Sequence, residues 1–527
     1  MSTVIPLPLD QQLSVSLVIR RPVSLKDYAH GVITGTNTAL SHADFELMFA
    51  PSSTDLVLVR TFAQKNNLTV DKIYTNSATV KLIGKVEDYN RAFNITLTQV
   101  TDGARTYHSH TGTVTLPDSI KDIVETVLGL DNSLQLTHST VNAISAPYTP
   151  EQVATAYQYP AGSGAGECVG VLEFGGGYTQ DNLTLTFNNY GVPVPQTVDF
   201  SVGGAVNNPD DSSASQEVVL DIAVLGGVVP DAKIVVYFAP NSINSFYNCF
   251  NAAIFDKTNS PGVISLSWGA LETQWGFNGL NLNNLFLQAI ALGITIVTAT
   301  GDYGSRAYAS DPVYSVQFPS SSPYVLACGG TTLAINNNGT TASEVVWNTG
   351  NNGSAGGTSS IYNLPAYQAN LTTTKYPSNT VSPVTYRGIP DVALNGNPAT
   401  GYEFWYGLYN IATVNAGTSA AAPMMAGLIV RLNAATGRRL GFLNTLLYAN
   451  PQVFNDITQG NNACPPAGPG AVDGYSATVG WDACTGLGSP IGTAILALLA
   501  ADPILYPNDT YGTRPALGQQ YPRLSFS

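Results

Sequence analysis

The sequence predicts a large α/β unit built on a doubly wound parallel sheet, with a smaller α+β unit ahead of it. Three observations carry this. From residue 150 onward, short apolar strands alternate with helix-length stretches, the rhythm of βαβ units whose sheet is covered on both faces. Before residue 135, short strands alternate with helices in a stretch that carries most of the Lys, the pattern of a compact α+β unit. Between the two, residues 131–149 are rich in Ser, Thr, Asn and Pro with few long apolar side chains, the composition of an exposed linker. A chain of 527 residues is long enough for both units, and its 44% hydrophobic content supplies a large core.

In the first unit, alternation predicts strands over 12–20, 68–74, 79–84 and 95–100. Helical spacing predicts helices over 42–49, 54–66 and 86–93, and a last one just before Leu130. In the second unit, buried strands are expected over 168–172, 234–238, 262–267, 294–298 and 324–328. Helices are expected over 215–225, where Gly226-Gly227 reads as the stop, and over 282–292 and 418–432. In such a sheet, residues just past the strand carboxyl ends meet in one cleft.

Charge divides the chain the same way. Residues 1–139 hold 11 Lys/Arg against 13 Asp/Glu, and residues 140–527 hold 10 against 22, so the larger unit carries −12 of the net −14. A charge-poor, acidic domain has few ion pairs to lose when pH falls, which suits work in acid. The same balance excludes a nucleic-acid binder, which needs basic patches. No apolar run reaches membrane-span length, and residues 1–22 lack the pattern of an ordinary signal peptide. Five cysteines do not make a disulfide framework at this length; Cys464 and Cys484 flank one Gly/Pro-rich loop, and whether they pair is left open.

The residues that carry chemistry lie in the second unit. Ser419, in Gly417-Thr418-Ser419-Ala420-Ala421-Ala422-Pro423, opens a predicted helix, where free N–H groups and the dipole favour negative charge. All five histidines fall within the first 138 residues, so the usual histidine base is missing from this unit. A carboxylate must replace it. Glu217 and Asp221 stand i, i+4 in Ser-Gln-Glu-Val-Val-Leu-Asp, on one face of a helix. Held in a dry site they would share a proton, with one pKa raised; alone, the pair also fits a solvated helix face. Asp302 follows an apolar strand in Thr-Gly-Asp-Tyr-Gly-Ser, where a protonated carboxyl could donate to an oxyanion. Alone it also fits a turn-forming Asp before Gly. A neutral-pH histidine enzyme is excluded unless a histidine of the first unit enters the site, which is not expected of a part that should leave.

Taken in order and without His, Glu-x-x-x-Asp, strand–Gly-Asp-x-Gly and Gly-Thr-Ser-Ala-x-x-Pro resemble the sedolisin family of serine-carboxyl peptidases, most closely its kumamolisin branch. The resemblance spans nearly the whole chain, including the C-terminal Gly480-Trp481-Asp482 to Gly488 signature. It implies a subtilisin-like catalytic domain over 150–502 behind a ferredoxin-like pro-domain over 1–135. A linker over 136–149 would hold the processing site, and an extra tail over 503–527 runs past the family's usual end. It further implies Ser419 as nucleophile, Glu217 as base, Asp221 as its partner and Asp302 as the oxyanion acid, with Glu173 and Trp268 extending the carboxyl network. A structural calcium ion would be bound by Asp456, Asp482 and the carbonyls of Ile457, Thr478 and Gly480. Thr478 departs from a family glycine, which would be awkward at positive φ.

The expected function is thus an acid endopeptidase acting on proteins or peptides, made as a self-processing zymogen with its pro-domain as inhibitor. A tripeptidyl aminopeptidase and an inactive relative acting as a binding protein are the alternatives. A monomer is expected, in a secreted or acidic-vesicle setting, without membrane or nucleic-acid partners.

Overall fold

The computed structural model describes residues 2–103, 105–138, 147–311, 314–464 and 473–501. The larger unit is organised on one sheet whose strands run, edge to edge, Thr341–Val346, Leu326–Ile335, Thr295–Ala299, Val263–Leu266, Cys168–Glu173, Lys233–Phe238 and Gln196–Ser201. Val392–Asn395 also pairs with Leu326–Ile335. All pairings are parallel except Leu326–Ile335 with Thr341–Val346. The five expected strands are present, the last continuing to Ile335, where it pairs with both Thr341–Val346 and Val392–Asn395.

Each central strand buries both faces. In Lys233–Phe238, Ile234, Val236 and Phe238 enter one apolar cluster while Val235 and Tyr237 enter the other, the two-residue period of a strand. The first cluster takes in helices Ser212–Val228 and Thr418–Thr436; the second takes in Ile243–Ile254 and Phe277–Ala291. Burial of each Val, Ile, Leu or Phe contributes about 1.5–3 kcal/mol, so the sheet is a rigid floor for whatever its carboxyl ends carry.

Two local expectations fail. The helix expected before Leu130 is a strand, Val124–Leu128, paired with Gln12–Ile19. Val124 and Leu128 are buried four apart, a spacing that one helical turn and two strand repeats share, and the free edge of the Gln12–Ile19 strand decides between them. Gly226 and Gly227 do not end their helix, which runs to Val228. They are small because a Cβ on Gly226 would lie 2.5 Å from Phe187 Cζ and one on Gly227 2.5 Å from Pro150 Cγ.

The first unit is a four-stranded antiparallel sheet (Thr69–Tyr74, Thr79–Lys85, Gln12–Ile19, Val124–Leu128) with a second, three-stranded sheet and its own apolar core. Helix Val86–Phe93 has the expected bounds. This unit is docked on the larger one. Helix Leu25–Ile33 lies against Phe277–Ala291, and Phe45 lies 5.5 Å from the Phe255 ring. His42 Nε2 is 2.9 Å from the Ile254 carbonyl, and Arg21 donates to Gln288 Oε1 at 3.1 Å.

Candidate active site

The helix Ser212–Val228 presents Glu217 and Asp221 one turn apart on its inner face, both 0% exposed, so the solvated-face alternative falls away. Strand Cys168–Glu173 ends on Glu173, Val263–Leu266 leads into Ser267-Trp268, and Thr295–Ala299 leads into Asp302. All are buried at the carboxyl edge of the sheet.

The helix Thr418–Thr436 brings Ser419 into this group. Pro423, four residues on, has no N–H to bond the Ser419 carbonyl. That carbonyl is instead 3.2 Å from Ser267 Oγ, which lies 3.0 Å from each oxygen of Asp221. Ser267 has one hydroxyl proton to give. A protonated Asp221 that donates to Ser267 Oγ leaves that proton for the Ser419 carbonyl, and all three groups are satisfied. The Asp221 carboxyl is indeed held well above the ordinary range, by burial first and then by the charges of Glu173 and Glu217. Glu173 is raised for the same reasons, burial and Glu217, against the pull of Trp268, whose Nε1 donates to Glu173 Oε2 at 2.9 Å.

Asp302 stands on the other side of the serine. Its Oδ1 accepts from the Thr418 backbone N–H and hydroxyl, both at 2.9 Å, while Oδ2 has no hydrogen-bond partner among the described residues. Burial pushes this carboxyl up to about 7, so in acid Oδ2 carries a proton with nothing to donate to. Gly417 makes the approach possible. Its φ is +91°, and a Cβ there would lie 2.4 Å from Asp302 Oδ2. Ser419, second residue of its helix, has an N–H with no intrahelical acceptor.

Contrary to expectation, a histidine of the N-terminal segment, in the linker that follows the first unit, does enter the site. His138 Nδ1 lies 3.3 Å from Glu217 Oε2, and its ring meets Trp268 at 4.3 Å, edge to face. The Glu217 carboxyl makes no hydrogen bond to Ser419 or to any other described residue while His138 lies against it. The segment ahead of His138 lies along the cleft. Thr137 pairs antiparallel with Gly269, N–H to carbonyl at 3.0 Å and 3.1 Å. The rest of the expected processing linker, 139–146, and the tail from 502 lie outside the described residues.

Sequence reasoning brought together Ser419, Glu217, Asp221, Asp302, Glu173 and Trp268, and the fold gathers all six. It missed Thr418, although it stands inside the Ser419 motif, Ser267, although it precedes Trp268, and His138, whose contact spans the whole domain boundary. Cys464 and Cys484 do not pair; all five cysteines are free and buried.

The remaining candidate residues gather near the C-terminus. Asp456 Oδ2 accepts from the Gly480 N–H at 2.8 Å and Asp482 Oδ2 from the Thr478 N–H at 3.1 Å. Asp482 Oδ1 accepts from the N–H groups of Cys484 and Thr485. The carbonyls of Ile457, Thr478 and Gly480 accept no hydrogen bond among the described residues. Thr478 is not at positive φ; Gly480, at +81°, takes that conformation instead. Two carboxylates and three free carbonyls fit a hard cation that takes oxygen ligands. Among the described residues no cluster of three or more His, Cys, Asp or Glu forms a metal site.

Comparison with known proteins agrees with this arrangement. Residues 2–133 match the pro-kumamolisin activation domain and residues 201–440 the subtilase family. The chain is therefore a serine-type peptidase with an N-terminal activation domain, on a subtilisin-like fold. Kumamolisin of Bacillus sp. (strain MN-32) is 39% identical over 520 residues, covering 94% of this chain and 93% of that protein. Sedolisin of Pseudomonas sp. (strain 101) is 28% identical over 517 residues, covering 90% and 84%. The solved structure of Pseudomonas sedolisin, a serine-carboxyl proteinase complexed with two molecules of pseudo-iodotyrostatin, superposes with a TM-score of 0.59 at 28% identity, over 68% of this chain and 100% of that one. The chain belongs to the sedolisin family of serine-carboxyl peptidases, and its first unit is the pro-domain that acts as inhibitor in that family.

Proposed function

We propose that this peptidase is an acid-active endopeptidase in which Ser419 is the nucleophile and Glu217 its base. The observation that carries the reading is the set of buried carboxyls around Ser419, of which Asp302, raised to about 7, is the one built to work protonated. Ser419 Oγ attacks the peptide carbonyl carbon and Glu217 takes its proton. The oxyanion accepts from the protonated Asp302 Oδ2 and from the Ser419 N–H. Glu217 then returns the proton to the leaving amine, and water cleaves the acyl-enzyme by the same route. Asp221 orients Glu217, and Glu173 with Trp268 completes the carboxyl chain.

Endopeptidase action is favoured over tripeptide release by the pro-segment, which enters the cleft as a continuous chain through Leu134, Gln135 and Leu136. With His138 against Glu217, the same contact supports intramolecular inhibition, relieved by cleavage in the linker on acidification. A structural calcium ion fits Asp456, Asp482 and the carbonyls of Ile457, Thr478 and Gly480, where it would neutralise two carboxylates and tie the 478–482 turn to the 456–457 segment. Secretion or an acidic vesicle is the setting that an acid peptidase needs.

The test is protein cleavage from about pH 2 to 8 by the wild type, Ser419→Ala and Glu217→Gln. Both substitutions should lower kcat by on the order of 10⁴-fold or more and leave an unprocessed, folded precursor. Activity that survives either one rules out these roles.

A further inference from the structure

The pro-segment is held by one more residue that the mechanism does not use. Asn241 stands just past the strand Lys233–Phe238, whose neighbour in the sheet ends on Glu173. Its side-chain amide grips both backbone groups of Leu136: Oδ1 accepts from the Leu136 N–H at 2.8 Å, and Nδ2 donates to the Leu136 carbonyl at 2.9 Å. The next residue, Thr137, forms its two backbone bonds to Gly269 on the opposite side, as the two-residue alternation of an extended chain requires. The chain is thus threaded between the Asn241 amide and the Gly269 backbone. Because the pairing is antiparallel, it then runs past Trp268 to reach Glu217 at His138. The Leu136 side chain is 3% exposed, in an apolar cluster that includes Phe174, Ile243 and Phe246.

Both Asn241 bonds and the two Gly269 backbone bonds are made to main chain, and the Thr137 hydroxyl, 3.5 Å from the Gly269 carbonyl, adds the one side-chain contact among them. The main-chain bonds fit any extended peptide lying in this direction, whereas the Leu136 pocket selects a large apolar residue. We propose that Asn241 is a main-chain clamp for substrate. It would hold the residue two positions before the one beside Glu217 and make the enzyme prefer peptides with a large aliphatic side chain there. The proposal rests on the peptidase reading above and adds to it a positioning residue and a substrate class.

The test uses the activated enzyme, with Asn241→Ala beside the wild type, on three N-acetylated peptides. The first is Leu-Gln-Leu-Thr-His-Ser-Thr-Val-Asn, the chain's own segment from Leu134. The second begins at the Thr137 equivalent, and the third is the long peptide with an N-methyl group on the Leu136 equivalent. The wild type should cleave the long peptide with kcat/KM about tenfold above the other two, since the short one lacks the Leu136 N–H bond and the apolar contact and the N-methyl one lacks that N–H bond. Asn241→Ala should lower the long peptide about tenfold and the short one, whose acetyl carbonyl replaces that of Leu136 and keeps one of the two bonds, by no more than about threefold. A loss shared equally by long and short peptides, or none with either, would overturn the clamp. The N-methyl peptide makes the test on wild type alone if the variant does not fold, and cleavage equal to that of its parent would overturn the clamp. Wild-type enzyme that cleaves none of the three while still digesting protein in acid would overturn the clamp and leave the peptidase reading standing. Digestion of neither peptides nor protein would sink both.

Discussion

Asp391 and Asp302 are both 0% exposed, both in the sheet domain, and they solve the burial of a carboxyl in opposite ways. Asp391 is neutralised by a partner. Arg387 Nη1 and Nη2 donate to its two oxygens at 2.6 Å each, and Tyr448, Asn444 and the Ala327 N–H add further bonds. Asp302 has no cation bonded to it and keeps one oxygen unpartnered among the described residues, and burial pushes its carboxyl up to about 7. Burial of a charge costs several kcal/mol unless it is paired or protonated. The fold uses pairing where it needs rigidity at any pH, and protonation where it needs a proton donor that acid supplies.

Removal of the partner from the first site should produce the largest loss of stability. Arg387→Ala leaves Asp391 as exposed to the low dielectric as Asp302 is, and should cost about 3–5 kcal/mol. A buried carboxylate without a cation is penalised as a charge and is relieved of that penalty once protonated, so the loss should shrink as pH falls. Chemical denaturation should therefore find the variant closer to wild type at pH 4 than at pH 7. An equal gap at both would break the comparison.

Asp482 sharpens it. This carboxyl is also 0% exposed, and among the described residues its bonds come from neutral N–H and O–H groups. A calcium ion there would do for it what Arg387 does for Asp391. Saturating calcium should stabilise the protein by about 2.7 kcal/mol at 100 times its Kd and raise the melting temperature by several degrees. A chelator should reverse this, and Asp482→Ala should melt alike with and without calcium. A wild type indifferent to calcium would remove the site.

The smallest effect belongs to the interface of the two units. Burial lowers the pKa of His42 from 6.5, so docking is at full strength above pH 6.5 and weakens as pH falls and His42 takes a proton. His42→Gln keeps a donor for the Ile254 carbonyl without the charge. The pH at which the precursor processes itself should move down by about half a unit at most; a shift upward would contradict the assignment.

The motifs exposed the site because its chemistry is local in sequence. Glu217 and Asp221 share one helical turn, Asp302 ends one strand, and Ser419 begins one helix. What stayed hidden depends on partners far along the chain. Ser267 bridges Asp221 and Ser419 across 46 and 152 residues, and Asn241 reaches Leu136 across 105. His138 was dismissed from the site because a departing segment seemed the wrong place for a site histidine, yet a segment that blocks a cleft must put side chains into it. Among the elements, Val124–Leu128 departs from the expected helix because one buried spacing serves two periods. Gly226-Gly227 was misread where closeness to Phe187 and Pro150, not a helix end, demanded glycine.

The most direct test of the central claim is kcat/KM against pH for the wild type and Asp302→Asn. The amide keeps an acceptor for Thr418 and a donor toward the oxyanion but has no proton to lose. Wild-type activity should fall as pH rises through about 7, and in Asp302→Asn that fall should be absent while acid activity stays within about tenfold. An unchanged fall near 7 in the variant would mean that Asp302 is not the proton-bearing group, and the contrast with Asp391 would lose its functional meaning.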